Sequence, residues 1–196
     1  MLNYDRFTER AQDAAQRALE VLQRYGHSQV DTEHFFLAML EQPDGIVRQL
    51  LERMNVDVAV VSGKLDDVLK QGSRSSVYGS GQAQVFITPR LKRIAEIASE
   101  EANRLKDEFI STEHLLLAMT SERNTPSARI LSEYKITKDR VMDAIKDFRG
   151  GQRVTDKQAE TKYRTLEKFS RDLTQMSKDG KLDPVIGRDQ EILRVV

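Results

Sequence analysis

The 196 residues include no cysteine, which removes disulfides, thiolate zinc sites and cysteine nucleophiles in one step. An excess of either charge is also missing. With 31 basic against 31 acidic residues the formal charge is zero, whereas a nucleic-acid binder normally carries a basic surplus to displace counterions, so no nucleic-acid partner is expected. No apolar run approaches the ~20 residues a membrane-crossing helix needs, so no membrane partner is expected. The opening Met-Leu-Asn-Tyr-Asp-Arg is charged early and leads straight into an amphipathic helix, so no signal peptide is expected and the chain reads as soluble and cytoplasmic. A phosphate-binding GxxxxGK(S/T) pattern is absent as well: the glycine-rich Gly72 to Gly81 lacks its lysine and no strand precedes it.

What is present is a repeat. Thr32 to Met39 reads Thr-Glu-His-Phe-Phe-Leu-Ala-Met and returns as Thr112 to Met119, Thr-Glu-His-Leu-Leu-Leu-Ala-Met, at an offset of 112 − 32 = 80 residues. With no gap, Thr8 then falls on Thr88, Arg10 on Arg90, Ala15 on Ala95, Ala18 on Ala98, Arg24 on Arg104, Leu51 on Leu131 and Val61 on Val141. Segment 7–68 is therefore duplicated as 87–148, with every helix and turn equal in length.

Within each copy the periodicity is helical. Thr8 can cap a helix carrying Ala11, Ala14, Ala15, Ala18, Leu22 and Tyr25 on one face, and Gly26 ends it. Thr88, followed by Pro89, opens the matching stripe of Leu91, Ile94, Ala95, Ala98, Ala102 and Leu105. Thr32 and Thr112 are expected to cap the second helices, with Val30 and Ile110 as staples outside them. Asp44 and Thr125 should start the third helices, and Asp57 and Thr137 the fourth. The expectation is an all-α fold of two tandem pseudo-symmetric four-helix repeats, eight helices in all, filling residues 1–148 with a flexible connector at 71–86. A polar linker at 149–160 should follow, then a further helix on Tyr163, Leu166, Phe169, Leu173 and Met176 within 161–196, where the chain ends inside a helical pattern.

The residues alone leave two readings of the helix starts open. Thr8 and Thr88 place free amides and a positive dipole end where an anion could bind, with Glu33 and Glu113 a helix away; the same residues also suffice as caps and dipole partners. His34 and His114 lack the His-Glu-x-x-His spacing and a third ligand, so they read as packed or loop-bonded and no metal is expected. Ser75 and Ser76 have no activating partner, and no catalytic residue is assigned.

The Phe-Thr-Glu-Arg-Ala opening, the two Thr-Glu-His helices and the tail Gly-Lys-Leu-Asp-Pro-Val-Ile-Gly-Arg-Asp-Gln-Glu-Ile together resemble the amino-terminal region of the Clp family of ring-forming AAA+ unfoldases and disaggregases. Gly-Gly-Gln-Arg-Val-Thr-Asp and Tyr-Arg-Thr-Leu-Glu-Lys-Phe-Ser-Arg-Asp-Leu-Thr look more like the ClpB-type disaggregase branch than the ClpC-type partner of a peptidase. The resemblance implies a substrate- or adaptor-binding domain in front of a hexameric, ATP- and magnesium-dependent parent that threads unfolded or aggregated polypeptides. Residues 161–196 would be the start of its first ATPase module, with Val185, Ile186 and Gly187 beside adenine. The chain alone should be monomeric, bind no cofactor and hydrolyse no ATP. By the same resemblance the binding residues include Thr8, Asp107 and Glu113, and Glu33, Thr88 and Ile97 are nominated as further substrate-binding residues. The ClpC branch would instead use such positions for phosphorylated arginine and deliver adaptor-bound clients to a peptidase.

Overall fold

The computed structural model describes residues 4–72, 86–162, 173–178, 180 and 194. The chain divides into two compact units, 1–163 and 164–196. The first copy supplies α1 (Glu9–Tyr25), α2 (Thr32–Glu41), α3 (Ile46–Arg53) and α4 (Val58–Gln71). The second supplies α5 (Pro89–Arg104), α6 (Thr112–Met119), α7 (Pro126–Glu133) and α8 (Lys138–Arg149). A single turn, α9 (Ala159–Lys162), closes the first unit, and α10 (Leu173–Lys178) belongs to the second. The all-α duplicated architecture is as expected. The glycine-rich centre of the connector and the adenine-side residues Val185, Ile186 and Gly187 lie outside the described residues.

The turns repeat as faithfully as the helices. Residues in the left-handed region fall at Gly26 and Lys106, Asp44 and Asn124, and Asn55 and Lys135, each pair separated by the same 80 residues. Thr8 and Thr88 cap α1 and α5, their hydroxyls accepting the amides of Ala11 and Leu91 at 3.2 Å. Asp57 and Thr137 cap α4 and α8 in the same way.

Three starts differ from expectation. The caps of α2 and α6 are Asp31 and Ser111, not Thr32 and Thr112, because His34 and His114 each turn Nδ1 back to accept the cap residue's amide, at 3.1 and 3.0 Å. The cap of α3 is Gly45 rather than Asp44, which is spent on the left-handed turn before it.

α2 and α6 have no polar face. Every residue from Thr32 to Leu40 and from Thr112 to Met119 is buried, the signature of a helix surrounded by others. α1 lies on α2 through Ala11, Ala14 and Ala18, whose small side chains allow close approach, and α5 lies on α6 through Ala95, Ala98 and Ala102. The copies also exchange contacts. α3 packs on α6 and α8 of the other copy, while α7 packs on α2 and α4.

The entry segments are exchanged as well. β1 (Gln29–Val30) pairs in parallel with β2 (Phe86–Ile87), and Phe7 pairs with Ile110, which is the same pairing shifted by 80 residues. Val30 and Ile110 are therefore more than staples: each is buried and its backbone is tied to the start of the other copy. These short ladders were missed because two-residue strands leave no period-2 signal in the sequence.

Candidate functional site

The second copy gathers ionisable groups that the first does not. Arg149, the last residue of α8, reaches back with Nη1 to Asp107 Oδ2 at 2.6 Å and with Nε to Glu113 Oε1 at 3.0 Å. His114 Nδ1 already accepts from Ser111, so Nε2 carries the proton and donates to the same Asp107 oxygen at 3.0 Å. Burial pushes the Glu113 and Asp107 carboxyls up, but Arg149 and His114 outweigh it, and both are held below the usual carboxylate range. Glu113 Oε2 remains buried with no hydrogen-bond partner.

The segment after α8, expected as a free linker, lies across this cluster. Val154, 0 % exposed, donates its amide to Asp107 Oδ1 at 2.8 Å, and its carbonyl accepts from the amides of Glu108 and Phe109 at 2.9 and 3.3 Å. Further along, the Glu9 amide donates to the Lys157 carbonyl at 2.8 Å. Glu160, 6 % exposed, then inserts its carboxyl at the start of α6, where Thr112 donates to Oε1 from its amide at 2.9 Å and from its hydroxyl at 2.5 Å. The Thr8 hydroxyl shares a short hydrogen bond with Oε2. Burial, with Glu113 adding to it, pushes the Glu160 carboxyl up to about 8 in spite of these bonds.

In the first copy the corresponding donors meet a different carboxylate. The Thr88 hydroxyl and the Thr32 amide both donate to Asp31 Oδ1, at 2.9 and 2.8 Å, and Arg90 Nε joins them at 2.9 Å. Burial works against the Asp31 charge, but Arg90 and these donors prevail, and its pKa is lowered. Glu33 Oε1 accepts from the Ser127 amide and hydroxyl at 3.3 and 3.0 Å.

Beside Arg90, whose Nε lies 3.9 Å from Glu122 Oε1, the Glu122 carboxyl is buried with neither oxygen hydrogen-bonded. Desolvation raises it to about 7, with Arg90 opposing and Glu33 adding to the rise. Leu69 takes the place of Arg149, and a cavity of about 660 Å³ opens there, lined by His27, Glu33, His34, Leu69 and Ile130. His34 donates from Nε2 to His27 Nδ1 at 2.8 Å; burial, with His27 contributing, lowers its pKa to about 4, so it is neutral at pH 7.

The six sequence-nominated residues thus fall into two groups. Thr8, Asp107 and Glu113 converge on the cluster under the Val154–Glu160 segment. Thr88 and Glu33 meet around Asp31 and Arg90, and Ile97 lines the adjoining cleft of about 380 Å³ with Arg90, Arg93, Ile94, Glu122 and Thr125. Four further residues, Asp31, Arg90, Arg149 and Glu160, complete these groups and were not nominated. For Arg149 a signal existed: the repeat aligns it with a core leucine and aligns Asp107 with His27, so a buried charge pair could have been read from two simultaneous departures.

Two interlocked four-helix copies, each with a carboxylate seated at the start of its second helix, define a double helical-repeat domain. The sequence model of the family described as the Clp repeat (R) N-terminal domain matches residues 6–134, and the chain belongs to this family. The chaperone protein ClpB of Nitratidesulfovibrio vulgaris is 38% identical over 198 residues, which cover 100% of this chain and 23% of that protein. The chain therefore spans less than a quarter of this relative's length. Among solved structures, the Hsp104 N-terminal domain from Candida albicans superposes with a TM-score of 0.67 at 19% identity, over 80% of this chain and 99% of that one. A ClpV N-domain in complex with a VipB peptide superposes with a TM-score of 0.55 at 16% identity, over 71% of this chain and 88% of that one. Both likenesses concern the fold.

Proposed function

We propose that the chain is the client-receiving amino-terminal region of a ClpB-type disaggregase, and that unfolded polypeptide binds in the groove of Thr8, Asp107 and Glu113. The observation that carries this reading is that the groove already holds a length of polypeptide, the chain's own residues 154–160, which turns from Val154 into α9 and is held through hydrogen bonds at the Val154 backbone and a seated carboxyl at Glu160. Backbone pairing suits a client of any sequence, because every residue offers the same amide and carbonyl. Peptide binding by a ClpV N-domain of the same fold is consistent with it.

In this reading the whole protein is a cytoplasmic hexamer that spends ATP, with magnesium, on threading aggregated chains, and adaptor proteins use the same domain. Val185, Ile186 and Gly187 would flank its adenine. The 196 residues contain no phosphate-loop motif, and no hydrolysis is expected of them alone. The test is calorimetric titration of the chain with reduced, carboxymethylated lactalbumin, which cannot refold, and with native lactalbumin. Saturable binding of the unfolded form alone is expected. Equal binding of both forms, or of neither, contradicts the reading.

A further inference from the structure

The two copies satisfy the same donors with carboxylates of different origin. In the first copy the Thr88 hydroxyl and the Thr32 amide are both taken by Asp31, which is the cap of α2 and belongs to the repeat itself. In the second copy the cap position holds Ser111, whose hydroxyl is turned to His114 Nδ1 at 2.8 Å. Serine is too short to serve both sets of donors, so the Thr8 hydroxyl and the Thr112 amide and hydroxyl face a vacant carboxylate position within the repeat. Glu160 fills it from 48 residues downstream of Thr112, on a segment that is no part of either copy.

The filling is imperfect. Glu160 crowds Glu113, whose Oε2 stays buried and unpartnered, and the charged form of Glu160 is disfavoured by that neighbour and by burial. Anchorage at the other end is of a different kind: Val154 sinks its side chain completely, donates its amide to the Asp107 carboxylate and accepts at its carbonyl from the amides of Glu108 and Phe109.

We propose that residues 154–160 are an internal stand-in for the client, and that the groove selects a segment that turns into a short helix, with an aliphatic residue in the Val154 place and an acidic side chain six residues further on. This rests on the reading of the chain as a client receptor. A client segment of this pattern displaces the stand-in, exchanging one aliphatic anchor and one carboxyl for another, so occupancy follows competition between two chemically matched ligands.

The experiment uses the full chain, its V154S/E160A variant, and a capped nonapeptide of sequence Val-Thr-Asp-Lys-Gln-Ala-Glu-Thr-Lys as the added ligand, read by fluorescence anisotropy. The variant is expected to bind the peptide while the unaltered chain does not. The same peptide with alanine for its glutamate should bind the variant about tenfold more weakly, because the acceptor shared by Thr8 and Thr112 is lost.

Carboxymethylated lactalbumin should likewise bind the variant about tenfold more tightly than the unaltered chain. If the variant binds the peptide but gains nothing for lactalbumin, the stand-in does not compete with clients and the proposal fails, while the receptor reading stands. If neither protein binds lactalbumin, the receptor reading fails and takes the proposal with it. Glu160→Gln guards against a merely loosened fold. It keeps an acceptor for Thr112 and should leave lactalbumin affinity within about twofold of the unaltered chain; a rise as large as that of the double variant overturns the proposal.

Discussion

Leu69 and Arg149 occupy the same place in two copies of one unit, and the exchange of leucine for arginine there turns a cavity wall into the centre of a buried ion cluster. Arg149→Leu restores the first copy's solution on one side only. It leaves Asp107 and Glu113 buried beside each other without their cation, and such losses cost about 3 to 5 kcal/mol. Urea unfolding should show a midpoint lowered in proportion, with little change in slope. A cost below about 1 kcal/mol would mean that the two carboxylates do not depend on that cation.

The Glu160 carboxyl is raised in the folded chain, so docking of its segment favours the protonated form. The contribution is complete below the ordinary glutamate pKa of 4.5 and declines as pH rises through about 8. Hydrogen exchange at the amides of Glu108 and Val154, corrected for its intrinsic pH dependence, should therefore report more frequent opening at pH 9 than at pH 6. Glu160→Gln cannot ionise, and its opening should be flat across that range. Parallel slopes in the two proteins would assign the effect to another group.

Glu122 poses the same question in the first copy. It is raised to about 7, and the stability it permits is lost as pH rises through that value. Glu122→Gln should stabilise the chain at pH 8.5 by on the order of 1 kcal/mol and leave it nearly unchanged at pH 5, measured as thermal midpoints at the two pH values. Destabilisation at both would indicate that its charge is needed by Arg90.

Lys106 holds the left-handed turn position that Gly26 holds in the first copy. Lys106→Gly should stabilise by up to about 1 kcal/mol, as strain at φ +59 is relieved against a more flexible unfolded chain. Gly26→Ala meets no atom within 4 Å, so its cost of about 1 kcal/mol is purely conformational. Thermal denaturation of both variants checks the opposite signs.

Most of this fold was legible in the sequence because duplication made each helix testimony for another. Thr88 and Pro89 clarified what Thr8 began, and the alanine stripes agreed even where single residues did not. The caps at Asp31 and Ser111 were misplaced by one position because a histidine in the first turn can take the part that glutamate usually plays in a capping box. The candidate site was only half visible. Thr8, Asp107 and Glu113 could be named from resemblance, but Glu160 stands outside the repeat and no periodicity pointed to it. Burial also makes Glu113→Ala a poor test of binding, since the variant would strand Arg149.

The exchanged third helices and entry strands carry a consequence for assembly. α3 completes the wall around α6 and α8, α7 does the same for α2 and α4, and Phe7 and Ile87 each begin one copy while bonding to the other. Neither half's interior is complete without the other. A backbone cut between residues 72 and 86 should leave two pieces that stay clasped in solution, whereas either piece synthesised alone should remain a molten chain in search of its twin.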